Sequence, residues 1–505
     1  MQPVSVNADA VEHDQWGRGK IIAWLRGGRG ALVAFDTQAL PLEVSLDELR
    51  GAPDDAQTPG APATPPVPPL DLLTIEAMRL GVVPMTRLDH YTVGRTVELA
   101  LVAADLAASS THGGAVRAFL GDYGVGKTHL LELIQQDALA QGFLTSRVVL
   151  DPEENSPAQP KRVYRSAVRH LRYPDGAEEH DVGLGPLLTQ ASRNPQALAR
   201  FCVHPKATTR TLDEQLAEGL HLYLSPAIAY LRTLERTTAA HLPRRLTAAE
   251  LPSWLGQSRR LLLDWIEGHP TLSNQHIDLE LSRLPGRHPK IYSLLDFRPW
   301  AKIYGYILNG LACLARCVGY NGLVLVVDEA EFYALLSSQN RLFARSLFQA
   351  WTLAAVGHQE LGLPFEEEAL LPGGFGIQRR LPLQYATDAG LYVVLAMTPS
   401  SDALRVLHDA IAPHLINNLS RLEACDYLDL TQRVFALYAN AHPGEKLTSA
   451  MVEPLANIIT HLVDCGLVTN PRQAMKFLIE FLDLVRHLPG QIPQVLRELQ
   501  QTFTL

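Results

Sequence analysis

The chain has 505 residues, 47% of them hydrophobic and 19% charged, and a formal net charge of −9. That length predicts roughly two to four domains, and the composition is that of a folded protein. No apolar run reaches the roughly 18 residues that span a bilayer, and the net negative charge excludes a uniformly basic nucleic-acid coat while leaving room for a local patch.

The first residues, MQPVSVNADAVEHDQWGRGK, lack a basic segment followed by an apolar stretch and a cleavage site, which predicts a cytoplasmic protein without a membrane partner. Five scattered cysteines offer no disulfide framework. Cys313 and Cys317 sit one helical turn apart, but no second pair completes a metal site, so buried helix packing is expected for them.

Residues 1–50 form the first predicted domain. KIIAWL and ALVAFD, separated by RGGRG, read as a hairpin within a small β-barrel. Arg18, Lys20, Arg26 and Arg29 interleave with Trp16 and Trp24, a pattern that suits DNA backbone contact and base stacking. A barrel whose tryptophans are core and whose arginines solvate turns fits equally, since Asp36, Glu43, Asp47 and Glu48 follow; protein binding is a third reading. Residues 51–69, rich in Pro, Ala and Gly, form a tether.

Helical patterns in LDLLTIEAMRLGVVP and RTVELALVAADLAAS open the next domain, residues 70–424. AVRAFLG is then an apolar strand, THLLELIQQDALAQG a helix closed by Gly142, and SRVVLD the next strand: the parallel α/β succession of P-loop folds. Strands return at GLVLVVDEAEFY and GLYVVLAMTPS, with a helical insertion over about residues 155–300. Residues 425–505 read as a helical lid.

Between the first strand and its helix, Gly121-Asp122-Tyr123-Gly124-Val125-Gly126-Lys127-Thr128, followed by His129, fits G-x-x-x-x-G-K-[ST]. The glycines let N–H groups converge on phosphate oxygens, Lys127 reaches the β and γ phosphates of ATP, and the Thr128 hydroxyl ligates Mg2+. LVLVVDEAE supplies Asp328 for the metal and Glu329 to orient or deprotonate the attacking water. A buried strand ending in solvated carboxylates is the plain alternative, but an adjacent glutamate favours hydrolysis over mere holding. Thr398 is placed to contact the γ phosphate or the lytic water, or else simply caps the turn before Pro399. Arg472, near the start of a helix in NPRQAMKFLIEFL, is placed to swing a lid onto the phosphates, with a solvated helix-start arginine as the alternative. Arg421 is the residue considered for an arginine finger across a subunit boundary.

The phosphate loop, DEAE, the threonine-tipped strand and NPRQA together resemble AAA+ ATPases of the origin-recognition and initiator clade. AMRLGVVP, TVGRTVEL, FLGDYGVGKTHLLELI, VVLDPEENSP with VYRSAVRHL, and GYNGLVLVVDEAEFY resemble more closely the ATP-binding proteins of BREX phage-exclusion systems, of the BrxD type, over roughly residues 70–490. The resemblance implies ATP binding and hydrolysis, association with DNA, and service to a defence system whose other proteins, a large helicase among them, are the expected partners; homo-oligomer contacts that complete the site are a further expectation. The initiator likeness implies a winged-helix unit at the C terminus. Two functions follow as expectations: an ATP-driven switch or loader on DNA, and an ATP-gated scaffold whose turnover a protein partner stimulates.

Overall fold

The computed structural model describes residues 10–51, 70–174, 182–201, 221–363, 383–443 and 451–495, apart from 14–15, 25–29, 36–41, 46–48, 85–86, 112, 239–246, 248, 271, 273, 282–283, 285–288, 293, 295–297 and 493. The chain divides into two units, Met1–Pro68 and Pro69–Leu505.

In the first unit, β1 (Ala10–His13), β2 (Gly17–Trp24), β3 (Gly30–Phe35), β4 (Leu42–Ser45) and β5 (Leu49–Gly51) form an antiparallel sheet in the order β4-β3-β2-β1-β5. The hairpin expected around RGGRG is the β2–β3 pair, with a register shift between Ile21 and Ala23. Gly19 is required there, because a Cβ would meet the Phe35 ring at 2.7 Å and the Ala34 carbonyl at 2.8 Å. Trp16 stacks on His13 with centroids 4.2 Å apart and tilts against Phe35 at 5.5 Å, so its ring belongs to the packing of the unit. Among the described residues no β4–β5 pairing closes the sheet into a barrel. The side chains of Arg18, Lys20, Trp24, Arg26 and Arg29, and the tether 52–69, lie outside the described residues.

The second unit is built on a parallel sheet of β6 (Ala115–Leu120), β7 (Leu144–Val149), β8 (Leu323–Asp328), β9 (Leu391–Met397) and β10 (Ile416–Asn418), in the order β10-β6-β9-β8-β7. A parallel sheet is covered on both faces, which is why its inner strands are continuous apolar runs. Alternate residues divide between two cores. Leu325, Val327, Val393 and Leu395 face the helical insertion and the helix Ser338–Val356; Val324, Val326, Tyr392 and Val394 face the helices Thr96–Thr111 and Lys127–Ala140. The insertion runs between β7 and β8 and contains, among others, the helices Pro160–Arg169, Leu184–Arg193, Leu224–Arg236 and Leu251–Ile266. Its last helix, Ala301–Val318, returns to the sheet; at Gly305 a Cβ would sit 2.7 Å from the Ala350 carbonyl of Ser338–Val356.

The helices Ala424–Ala441, Val452–Asp464 and Pro471–His487 share a third core with the helix Leu70–Arg79, through Ile75, Met78, Leu437, Tyr438, Ile459 and Leu478. Arg79 donates two hydrogen bonds of 2.9 Å to Asp483, which also accepts from the Tyr438 hydroxyl at 2.7 Å. No strand follows Asn418 among the described residues, so the winged-helix expectation finds no wing there.

One residue of β6 breaks its apolar run. Arg117 is 7% exposed and is held by the carboxylate of Asp105 and, at 2.7 Å, by Asn417 of β10; Tyr392 of β9 donates to Asp105 at 2.9 Å. This polar network joins three strands to the helix Thr96–Thr111. Removing one partner would leave a buried charge unpaired, so Asp105→Ala is expected to lower stability by roughly 3–5 kcal/mol in urea unfolding, and Asp105→Ala with Arg117→Met to recover most of that loss. A double variant no more stable than Asp105→Ala would show that the ion pair is not the cause.

Candidate nucleotide site

The strand–loop–helix junction builds the site. β6 ends at Leu120, and six loop residues separate it from the helix Lys127–Ala140. Gly124 (φ 82°) and Gly126 (φ 106°) take the left-handed conformation that side chains disfavour, and a Cβ on Gly121 would lie 2.5 Å from Val125. The turn leaves the first N–H groups of the helix free of helical partners, the usual anion-binding arrangement.

Lys127 is 8% exposed and its ammonium folds back onto the loop, donating to the Gly121 carbonyl (2.9 Å), the Asp122 carbonyl (3.3 Å) and the Thr398 hydroxyl (2.8 Å). Thr128 donates to Asp328 Oδ2 at 3.0 Å. Asp328, 2% exposed, also accepts from Arg147 of β7 at 2.8 Å and from the Glu329 N–H at 3.0 Å. Arg147 bonds Glu132 on the loop helix as well, so this guanidinium ties β7, the helix and β8 together.

Glu329 has φ 58°, a left-handed conformation for a side-chain-bearing residue, and it lines the same cleft as Lys127 and Thr128. Burial raises its carboxyl above the ordinary range, helped by the neighbouring charges of Glu331 and Asp328 and opposed by Lys127. Glu331 accepts the Thr398 hydroxyl proton through Oε1, and its Oε2 is buried without a hydrogen-bond partner. The hydroxyl of Thr398 thus accepts from Lys127 and donates to Glu331.

The site is a cleft lined on one side by the phosphate loop and on another by apolar side chains, the mixed lining usual for small-molecule sites. One end is formed by residues 123–129; the other is apolar, with Val82, Val83, Val93, Leu430 and Met475. His129 is inside, hydrogen-bonded to Thr92 at 2.8 Å, and burial with the charge of Arg95 pushes its pKa down to about 4, so it is neutral at physiological pH. Arg472 lines the cleft from the helix Pro471–His487, with its guanidinium 5.2 Å from the Tyr123 ring centre and a 2.9 Å hydrogen bond to the Tyr123 hydroxyl. Arg421 pairs with Asp122 at 3.0 Å, but both side chains are well exposed, so the pair contributes little. Cys313 and Cys317 lie on Ala301–Val318, partly buried and free of disulfides.

The structure therefore brings Lys127, Thr128, Asp328, Glu329, Thr398 and Arg472 to one place. The residues fit a nucleotide triphosphate, through the glycine cradle and the buried ammonium, and they fit Mg2+, through the hydroxyl and carboxylate oxygens of Thr128 and Asp328. Three contributors were missed from sequence. Glu331 carried a signal, as the third acid of DEAE. Arg147 carried none. Arg95 lies in the quoted TVGRTVEL; it is 4% exposed and holds the loop from behind, through the Val125 carbonyl and, at 2.7 Å, the Ser420 carbonyl.

Gly124 faces the C-terminal helices: a Cβ there would lie 2.6 Å from the side chain of Asn470, which caps the helix Pro471–His487. Gly124→Ala is therefore expected to weaken binding of a fluorescent ATP analogue at least tenfold, with the melting temperature little changed. Binding equal to the wild type would show that the loop tolerates the methyl and that the Asn470 contact does not set its position.

Among curated proteins no match to the chain is found. Residues 72–182, from the first helix of the second unit through the loop and past the first helix of the insertion, match the family model described as BREX system ATP-binding protein BrxC/D. The match includes the phosphate loop and leaves the rest of the chain, Asp328 and Glu329 among it, outside.

Proposed function

We propose that the protein is an AAA+ type ATP hydrolase that works as a nucleotide-driven switch or loader on DNA, in concert with other BREX components. The observation that carries this reading is the position of Glu329, a partly buried carboxylate in the same cleft as Lys127, Thr128 and Arg472. A protein that only held ATP would need no base there.

In this mechanism Lys127 exchanges its loop carbonyls for β- and γ-phosphate oxygens, and the loop N–H groups hold the remaining charge. Thr128 and Asp328 would hold Mg2+, which would supply charge neutralisation for the triphosphate. Glu329 orients the attacking water and takes its proton as the water oxygen bonds to the γ phosphorus; the bond to the bridging oxygen breaks, leaving ADP and phosphate. Thr398 orients the water or the γ phosphate, and Arg472 couples that phosphate to the lid. Arg421, paired in its own chain with Asp122, remains the residue to examine as a finger in a homo-oligomer.

The net charge of −9 favours a second reading, in which a protein partner and not DNA stimulates turnover. Steady-state ATP hydrolysis with and without single-stranded or duplex DNA separates the two. DNA stimulation is expected, and Glu329→Gln is expected to reduce turnover by about 10²-fold or more while ATP still binds. Turnover indifferent to every DNA would favour the partner-gated scaffold, and an unaffected Glu329→Gln would remove the assigned base.

The pH dependence follows from the raised carboxyl of Glu329. A base must be deprotonated, so the rate falls as pH drops through a point above the ordinary glutamate value of about 4.3. Glu331→Gln removes a neighbouring like charge and should shift that acidic limb to lower pH. An unmoved limb would show that Glu331 only packs.

A further inference from the structure

A second surface has the chemistry of a polyanion site. The helix Pro160–Arg169 buries Val163, Tyr164, Ala167 and Val168, which leaves Arg162, Arg165 and Arg169 on one outward stripe at i, i+3 and i+7. These arginines line a groove of about 710 Å³ with Lys161, Ser166 and Asn155. Its one carboxylate is that of Glu154.

The arginines are poorly neutralised. Arg162 donates to a backbone carbonyl, that of Glu153, at 3.3 Å, and Lys161 to that of His269 at 3.2 Å. Among the described residues none of the three arginines forms an ion pair with a carboxylate, and Arg165 Nε is buried without a hydrogen-bond partner. Some arginines elsewhere, Arg79, Arg147, Arg193, Arg341 and Arg345 among them, do pair with acids. The acids near the stripe are Glu153, Glu154, Asp264 and Glu267; burial raises the carboxyl of Glu267, and the charges of Arg169 and Arg165 draw it back.

We propose that this face binds the phosphodiester backbone of a nucleic acid. A stripe of three guanidiniums along about 10 Å of helix axis suits a run of phosphates better than a single one. Ser166 and Asn155 add the neutral donors that commonly complete such contacts. The face is also wired to the nucleotide site: β7 leads into this helix, and Arg147 of β7 bonds Asp328. The proposal rests on the reading of the chain as a DNA-acting ATPase for its polymer, but its test measures binding without turnover, so the two can fail separately.

The test is fluorescence anisotropy of the full chain with labelled duplex DNA, single-stranded DNA and RNA of equal length, over a salt series without nucleotide. R162Q/R165Q/R169Q is compared with R200Q/R260Q/R405Q, which removes the same charge from exposed arginines elsewhere. The first set is expected to weaken binding at least tenfold and to reduce the slope of log K against log salt by about 2–3; the second set should do neither. The preferred polymer is the one whose affinity falls most. R169Q alone, at an exposed position that cannot disturb the core, should reduce the slope by about one. Equal losses in the two triple variants, an unchanged slope in R169Q, or no binding of any of the three polymers would overturn the proposal.

Discussion

The site depends on two opposite charges buried at one edge of a parallel sheet. Lys127 and Asp328 are both nearly inaccessible, and burying an ion is costly unless its hydrogen-bonding capacity is met. The loop meets it for the ammonium with two carbonyls and the Thr398 hydroxyl; Thr128, Arg147 and a backbone N–H meet it for the carboxylate. Apart from Arg147, which reaches over from within β7, these partners sit just beyond the C-terminal end of a strand or at the start of the helix that follows, the edge where open α/β sheets place their ligands.

Strand order decides which side chains meet there. β9 lies between β6 and β8, so Thr398 is interposed between the loop and the acids instead of at the margin. That spacing lets one hydroxyl touch both Lys127 and Glu331 and gives Glu329 room to reach the cleft. Were β8 paired directly with β6, Lys127 would face the carboxylates without an intermediary, and a bound γ phosphate would compete with them for the same ammonium.

What was legible in the sequence was what a short stretch encodes. The loop, its flanking strand and helix, and the acids closing β8 are contiguous patterns, and Thr398 and Arg472 stood out as polar residues at the end of an apolar strand and the start of an amphipathic helix. Arg147 and Arg95 were not legible, because their meaning lies in partners 181 and 30 positions away. β10 was missed for a different reason: INN is three residues long and has no apolar run, and it pairs only because β6 offers it an edge. The helix Ala301–Val318 shows the limit of reading an insertion by its boundaries, since it continues the same apolar periodicity yet covers the sheet.

The division of cores bears on how a nucleotide could act as a switch. Val83, Val93, Leu430 and Met475, at the apolar end of the cleft, belong to or pack against the core that joins the helix Leu70–Arg79 to the lid helices, whereas Lys127 and the acids belong to the sheet. On the proposed reading, ATP spans the two bodies, its base on one and its triphosphate on the other. Arg472 and Asn470 bring the lid to the phosphate loop through Tyr123 and Gly124, so loss of the γ phosphate would remove contacts at the seam while leaving those to the base. A ligand shifts a conformational balance only by its difference in affinity for the two states, and a triphosphate bridging two separately packed cores supplies that difference where a diphosphate supplies less.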